Sequence, residues 1–305
     1  MRDFVDIVGL RDLLAGARIA EGTDFESIYD ELVSSGRNRD LAVELERRVF
    51  DYFAAMRSPP VATIYDMLIL SLRKKDLIAT FNWDPFLMQA SRRNMHIACP
   101  PQLVFLHGNV GCGVCHQDRQ VGFAGQACPV CGKPFPQRRL LYPVRQKNDN
   151  QDPFIAGEWQ RFRRFLNDAY MVTIFGSSAP AADLEARELM LDVWRNNPSR
   201  ELAQVEIVDV KPERQLRSAW GDFFVSHHYG IAKTIHRTYL SWFPRRSCEA
   251  LYSQTMMLRP PKTNPIPRFR NLARLQSWTK ALVAEENRCE KEGQALWCEL
   301  HPDTH

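Results

Sequence analysis

Residues 76–87 read DLIATFNWDPFL, an apolar run that opens into polar residues. The first half has the composition of a short buried strand, and Asn82 and Asp84 follow at its tip. A second run, QLVFLHG at 102–108, has the same form and reaches His107 at its end. Parallel α/β sheets bind their ligands beyond the carboxyl ends of the strands. The two stretches therefore predict two strands of such a sheet with a site at their tips.

The rest of the chain alternates helical and strand patterns. From Val5 to Arg57 apolar residues recur every three and four positions, as in FESIYDELV and LAVELERRVFDYFAAM, which predicts helices. Later the order is a helix in EWQRFRRFLNDA, a strand in AYMVTIFGSS, a helix in DLEARELMLDVWRNN and a strand in VEIVDV. This alternation predicts an α/β fold with a doubly wound, Rossmann-like parallel sheet covered on both faces. We expect Gly176 to join the polar residues at the same edge.

Composition indicates a globular protein without a strong charge signal. The 305 residues include 40 basic and 36 acidic side chains, a net charge of +4, and 45% are apolar. This balance predicts neither a nucleic-acid partner nor a membrane partner, and the basic tail from Arg245 through LRPPKTNPIPRFR is explained as well by a solvated linker. No apolar run has the length of a membrane span, and the N-terminus lacks a signal-peptide core. We therefore expect a cytoplasmic protein with reduced thiols.

A Gly- and Cys-rich insert between Asn109 and Arg139 contains two Cys-x-x-Cys pairs. Twelve residues separate CGVC from CPVC, a spacing that matches a tetrahedral zinc site of four thiolates. Four thiolates leave no open position for water or substrate, so the zinc is expected to be structural. An insert this short also cannot form a hydrophobic core of its own and would depend on the metal. The predicted ligands are Cys112, Cys115, Cys128 and Cys131.

The order of these motifs resembles the sirtuin superfamily, over roughly residues 60 to 235. In that family a Thr-x-Asn-x-Asp strand end approaches the nicotinamide ribose and carboxamide of NAD, a His-Gly pair supplies a general base, and a zinc ribbon follows. The resemblance implies NAD as the substrate and catalytic roles for Asn82, Asp84 and His107. It also implies contacts near the ribose, the phosphates and the adenosine. The residues implied for these contacts are Thr80, Gly108, Gly176, Ser177, Ser178 and Asp209.

The residue types at the strand ends suit cleavage of the nicotinamide–ribose bond, which passes through an oxocarbenium-like sugar. Asn82 can donate and accept hydrogen bonds at once, which suits a ribose hydroxyl or a positioned water. Asp84 can accept a hydrogen bond from the carboxamide, and an ordinary His pKa of about 6.5 lets His107 act as a base at neutral pH. The alternative is structural, because an Asn-x-Asp after a strand is often a helix cap or a turn.

Two features depart from the sirtuin pattern. The family begins with a strand and a Gly-Ala-Gly-x-Ser loop whose backbone amides hold the diphosphate, and no such segment is found here. Either the given start lies downstream of that loop, or the loop has been lost. The segment that pairs with an acyl-lysine peptide and ends in Phe-Gly-Glu is also absent, since LLYPVRQKNDNQDPFIAGEWQRF follows the ribbon. In this respect the chain is similar to divergent bacterial SIR2-like domains, many of which hydrolyse NAD in antiviral defence.

Three functions follow from this resemblance. The leading prediction is an NAD glycohydrolase that releases nicotinamide and ADP-ribose, with a protein partner or homo-oligomer expected for a defence effector. The alternatives are an NAD-dependent protein deacylase and a non-catalytic SIR2-like interaction module. The predicted segments are 1–108 for the N-terminal helices and first strands of the Rossmann-like domain, 109–139 for the zinc ribbon, 140–240 for the rest of that domain, and 241–305 for a basic helical extension.

Overall fold

The computed structural model describes residues 25–35, 39–118, 120–137, 140–142, 152–176 and 184–294, together with residue 296. The chain divides into two compact units. Unit 1 comprises the chain up to Ser58 with Ala79–Gln89 and Phe105–Trp159. Unit 2 comprises Pro59–Ile78, Ala90–Val104 and the chain from Gln160 onward.

Helices and strands alternate along most of the described chain. In chain order they are α1 (Phe25–Ser35), α2 (Arg39–Ala54), α3 (Ile64–Ser71), β1 (Leu77–Thr80), α4 (Phe86–Asn94), β2 (Gln102–Phe105), β3 (Cys112–Cys115), β4 (Gln120–Phe123), α5 (Pro153–Asn167), β5 (Met171–Phe175), α6 (Leu184–Arg195), β6 (Gln204–Val208), α7 (Glu213–Trp220), β7 (Tyr229–Ala232), α8 (Tyr239–Trp242), α9 (Ser247–Thr255) and α10 (Leu272–Glu292). This order is that of the predicted α/β fold.

The strands on either side of the ribbon belong to parallel sheets. β1 lies beside β2, where the Gln102 N–H donates to Asp76 O at 2.9 Å. Four residues further along both strands, the Leu106 N–H donates to Thr80 O at 3.0 Å, so the two strands run in the same direction. β5, β6 and β7 form a three-stranded parallel sheet in that order. Parallel strands connected through helices confirm the predicted fold class.

Aromatic side chains form the core of unit 1. The rings of Tyr29 in α1 and Tyr142 stack with their centroids 4.7 Å apart, and the Trp83 ring lies 5.0 Å from that of Tyr142. The hydroxyl of the buried Tyr142 donates to Glu46 O at 3.0 Å. Trp83 belongs to the loop after β1, and its ring also contacts Phe25 of α1 and Phe53 of α2. The loop with the predicted site is therefore anchored on these two helices.

Unit 2 buries its parallel sheet beneath helices. Val205 and Ile207 of β6 belong to a core that also contains Trp194 of α6. The Trp194 side chain is fully buried, and its indole N–H donates to Phe223 O at 2.9 Å, which satisfies the one polar group of the ring. Within the part of the chain that the structure describes, no helix combines the length and the apolar character that crossing a bilayer requires.

Buried ion pairs hold the C-terminal segment inside unit 2. Arg245 is 4% exposed and donates to the two carboxylate oxygens of Glu286 in α10 at 2.5 and 2.8 Å, and to Leu72 O at 2.9 Å. Arg246 pairs with Glu285 at 2.8 Å. A bidentate guanidinium–carboxylate pair satisfies the charges of both partners. These two arginines are therefore internal, and the linker interpretation of the tail does not hold for them.

Candidate functional site

The polar residues of the loop after β1 build the loop itself. The Thr80 hydroxyl accepts the Asn82 N–H at 3.0 Å, and Asp84 Oδ1 accepts the Phe86 N–H at 3.0 Å at the start of α4. Burial raises the pKa of Asp84, and the bond from the Phe86 N–H opposes that rise. Thr80 and Asp84 thus each form a turn with the N–H two residues on, and the turn of Asp84 leads into α4. The side chain of Asn82 is exposed at the tip of the loop.

His107 lies just beyond β2, next to the end of β1. Its half-buried ring meets the Phe81 ring edge-on with the centroids 5.0 Å apart, and its backbone oxygen accepts the Leu141 N–H at 2.9 Å. The following residue, Gly108, has a φ of 77°, a left-handed conformation that strongly favours glycine. Gly108 therefore allows the sharp change of direction from β2 into the ribbon.

A buried asparagine, which the sequence analysis does not identify, joins the two strand ends. Asn109 is 1% exposed. Its side-chain amide donates to Asp84 O at 2.5 Å and to Asn82 O at 3.3 Å, while its side-chain oxygen accepts the Gly111 N–H at 2.8 Å. Asn109 thus fixes the loop of Asn82 and Asp84 to the segment that follows His107. Its only sequence signal is its position directly after the His-Gly pair.

The remaining predicted cofactor-binding residues belong to unit 2, at the ends of β5 and β6. Gly176 has a φ of 61°, and a Cβ added there would meet nothing within 4 Å. Asp209 Oδ1 accepts the Lys211 N–H at 2.9 Å and so forms the turn that leads into α7. Ser177 and Ser178 lie outside the described residues.

The ribbon brings three thiols and one carboxylate together. The Sγ atoms of Cys115, Cys128 and Cys131 and a carboxylate oxygen of Asp118 all lie within 4.8 Å of one another. Cys115 Sγ is 3.7 Å from Cys131 Sγ. Two thiolates bound to zinc at about 2.3 Å in a tetrahedron lie roughly 3.8 Å apart. The cluster could therefore hold a tetrahedral metal ion with little movement.

Hydrogen bonds within the cluster shift the pKa values of its members. The bond to the Asp118 carboxylate raises the pKa of Cys131 to about 12. The same bond is the main cause that lowers the pKa of Asp118. Because thiolates are the form that binds metals, a cation at the centre would take the place of these thiol protons.

Cys112, the fourth predicted ligand, is outside this group. The first Cys-x-x-Cys pair forms strand β3 rather than a turn, and it pairs antiparallel with β4 from Cys112 opposite Phe123 to Cys115 opposite Gln120. Side chains three residues apart on a strand point to opposite faces. The structure therefore differs from the predicted ligand set at Cys112, where Asp118 completes the group.

Among the described residues of the ribbon, the Phe135 ring supplies the rest of the core. Phe135 packs with the buried Cys115 and Cys128. A Cβ on Gly113 would lie 2.6 Å from Phe135 Cβ, and a Cβ on Gly122 would overlap the Phe135 ring. Glycine at both positions lets the hairpin close on the ring. A core of this size is too small to stabilise the ribbon alone, which fits a role for a bound metal.

Comparisons with known proteins find a likeness of structure. No family model matches the chain, and a search of curated proteins finds no match. A structure of SIR2 with the inhibitor EX-527, 2′-O-acetyl-ADP-ribose and a deacetylated p53 peptide covers 84% of this chain and 98% of its own, at 14% identity and a TM-score of 0.40. A Sir2 homologue–NAD complex covers 66% of this chain and 71% of its own, at 14% identity and a TM-score of 0.38. The chain is thus similar in structure to these two Sir2 proteins over the lengths given.

Proposed function

We propose that this chain is an NAD glycohydrolase, which cleaves NAD to nicotinamide and ADP-ribose. The observation that carries the proposal is the strand-end cluster of unit 1, where Asn109 ties the loop of Asn82 and Asp84 to the segment after His107. The order of the Thr-x-Asn-x-Asp strand end, the His-Gly pair and the Cys-rich ribbon supports NAD as the substrate.

The proposed reaction breaks the bond between C1′ of the ribose and the nicotinamide nitrogen and forms a bond between C1′ and a water oxygen. Nicotinamide leaves with the bonding electron pair as a neutral ring, and the water loses one proton. The exposed Asn82 side chain is proposed to hold a ribose hydroxyl or this water. His107 is proposed to accept the proton, since an imidazole can serve as a base near neutral pH.

Asp84 has two tasks in this proposal. Its Oδ1 accepts the Phe86 N–H and fixes the start of α4, while the carboxylate accepts a hydrogen bond from the nicotinamide carboxamide. Burial raises the pKa of Asp84, and the backbone bond from the Phe86 N–H opposes this rise because it favours the charged, accepting form. A charged carboxylate near C1′ also favours the positive charge that develops on the sugar.

Zinc in a structural role is the second part of the proposal. The donor set is rich in thiolates, and the 3.7 Å separation of the Cys115 and Cys131 sulfurs fits zinc–sulfur geometry. The four groups of the cluster fill a tetrahedron and leave no open position for a substrate. Zinc would hold the ribbon, whose first strand begins four residues after Gly108 and so adjoins the proposed active site.

The first test is NAD turnover by the purified chain, with nicotinamide and ADP-ribose quantified by chromatography. Asn82→Ala and His107→Ala should abolish nicotinamide release, whereas His227→Ala, which alters an exposed histidine of unit 2, should leave it unchanged. Release that needs an acetylated peptide would favour the deacylase instead. NAD binding without turnover would favour the non-catalytic module, and a folded chain that does not bind NAD in calorimetry would overturn the assignment.

A role in antiviral defence, with a protein partner or homo-oligomer that controls the site, extends the same proposal. It rests on the resemblance of short segments of the chain to divergent bacterial SIR2-like domains. Size-exclusion chromatography with light scattering, performed with and without NAD, would report assembly. A chain that turns over NAD as a monomer at its full rate would count against control by assembly.

A further inference from the structure

We infer that Asp118 supplies the fourth metal ligand of the ribbon and that Cys112 supplies none. The metal would then be bound by three thiolates and one carboxylate oxygen, instead of the four thiolates that two Cys-x-x-Cys pairs predict. This inference does not depend on the proposed reaction, because it concerns only the donor atoms of the ribbon.

The two ligand pairs have the same spacing and the same local setting. Asp118 follows Cys115 by three residues and lies in the turn between β3 and β4. Cys131 follows Cys128 by three residues in a second turn, which the Gly132 N–H closes by donating to Cys128 O at 2.9 Å. In each pair a turn brings both side chains to the metal cluster. Cys115-x-x-Asp118 therefore takes the place that a first Cys-x-x-Cys turn would occupy.

The distances fit a mixed site. Asp118 Oδ2 lies 3.2 Å from Cys115 Sγ and 3.3 Å from Cys128 Sγ. Zinc–sulfur bonds of about 2.3 Å and a zinc–oxygen bond of about 2.1 Å place tetrahedral sulfur and oxygen ligands roughly 3.6 Å apart. The three donor atoms need to separate by only a few tenths of an ångström to receive the ion.

Cys112 cannot replace Asp118 while the hairpin remains paired. At a strand rise of about 3.3 Å per residue, the Cα atoms of Cys112 and Cys115 lie roughly 10 Å apart, and their side chains point to opposite faces. A one-residue slip of the strand would bring Cys112 or Val114 to the position of Gly113. A side chain there would meet Phe135 Cβ at 2.6 Å. The Phe135 ring thus fixes the register that keeps Cys112 away from the cluster.

The mixed donor set has chemical consequences. Asp118 and Cys131 are half-buried, whereas Cys115 and Cys128 are buried, so the carboxylate is one of the two ligands with access to water. Replacing it should weaken the site while three thiolates still bind, since a water molecule can occupy the fourth position of zinc.

Cobalt substitution of the full chain tests this ligand set. The intensity of the sulfur-to-cobalt charge-transfer band rises with the number of bound thiolates. We expect Cys112→Ser to leave this band unchanged and Asp118→Cys to raise it by about one third, as the site changes from three thiolates to four. Asp118→Ala should keep the band and weaken cobalt binding by more than roughly tenfold, since loss of even outer partners of a metal site costs that much. Cys115→Ser, which removes a thiolate, is the control that lowers the band.

The opposite pattern would overturn the inference. A band that Cys112→Ser lowers by a quarter, together with unchanged cobalt affinity in Asp118→Ala, would establish four thiolates. Circular dichroism establishes that each variant is folded before its spectrum is compared. If Asp118→Ala fails to fold, the spectra of Cys112→Ser and Asp118→Cys decide between the two ligand sets. Both variants keep four side chains that can bind the metal if the ligands are three thiolates and one carboxylate.

Discussion

Replacing Asn109 with alanine should lower both the stability of the chain and its proposed activity. The substitution removes the bonds to Asp84 O at 2.5 Å and Asn82 O at 3.3 Å, and the bond from the Gly111 N–H at 2.8 Å. Asn109 is 1% exposed, so the groups left behind do not readily regain water. Each buried group without a partner costs about 1–3 kcal/mol. We expect two of the three to remain unsatisfied and the free energy of unfolding to fall by about 2–6 kcal/mol.

Asn197 provides a matched control. It is 5% exposed, its side-chain amide donates to Leu166 O at 2.9 Å and Ala169 O at 2.8 Å, and its side-chain oxygen accepts the Ser199 N–H at 2.7 Å. The same three bonds are thus made in unit 2, and none of them involves a proposed catalytic residue. Asn197→Ala should cost a similar free energy and leave nicotinamide release per folded molecule unchanged.

Two measurements separate the variants. Urea unfolding followed by tryptophan fluorescence gives the loss of stability, and nicotinamide release is measured under conditions in which both variants are folded. Asn109→Ala should lose turnover as well as stability, because the loop of Asn82 and Asp84 is no longer fixed. Equal turnover in the two variants would show that Asn109 serves only the fold, and it would refute the link between this residue and the site.

Three further substitutions test the energetics of the fold. Asp66 is fully buried and accepts the Arg93 Nε–H at 2.6 Å, so Asp66→Ala should cost about 3–5 kcal/mol in urea unfolding, and a loss below about 1 kcal/mol would contradict its role. Burial raises the pKa of Glu206 from 4.5 to about 7. The folded state therefore binds this proton more tightly than the unfolded state, and the free energy of unfolding declines as pH rises between these two values. Glu206→Gln should raise the free energy of unfolding by about 3 kcal/mol over the parent at pH 8 and by little at pH 4. Equal gains at both pH values would refute the shift. Gly122→Ala should hasten zinc loss to a chelator, because the new methyl group overlaps the aromatic ring of the ribbon, while Gly157→Ala, with open space around its Cβ in helix α5, should not.

The main strands and the longer helices are predictable from the sequence, because each carries its own hydrophobic period. The continuous apolar run VEIVDV contains four of the five residues of β6, and the pattern LARLQSWTKALVAEEN forms most of α10. Strand β7 is not predictable in this way. It contains only the four residues YGIA, one of them a glycine of low strand propensity, and its pairing with β6 creates it.

Part of the candidate site is also predictable from the sequence. Asn82, Asp84 and His107 are visible because polar residues interrupt apolar runs at the strand ends. Asn109 is not visible, since its role depends on two carbonyl groups more than twenty residues earlier in the chain. Asp118 is hidden for a related reason. Spacing alone selects the Cys-x-x-Cys pair, whereas pairing with β4 gives that pair an extended backbone that a single sequence does not reveal.

The bidentate contact between Arg245 and Glu286 shows that α10 is packed within unit 2, and this packing limits how the chain can be shortened for expression. A boundary near residue 240, suggested by the change in composition, would remove α10 and strip the cover from Leu70 and Ile97, which pack with Leu275. The apolar side chains of Leu70 and Ile97 would then be exposed to water, and the shortened protein would be prone to aggregate. A C-terminal boundary should lie beyond Leu296, which is 8% exposed and follows the end of α10 at Gly293, where φ is 63°.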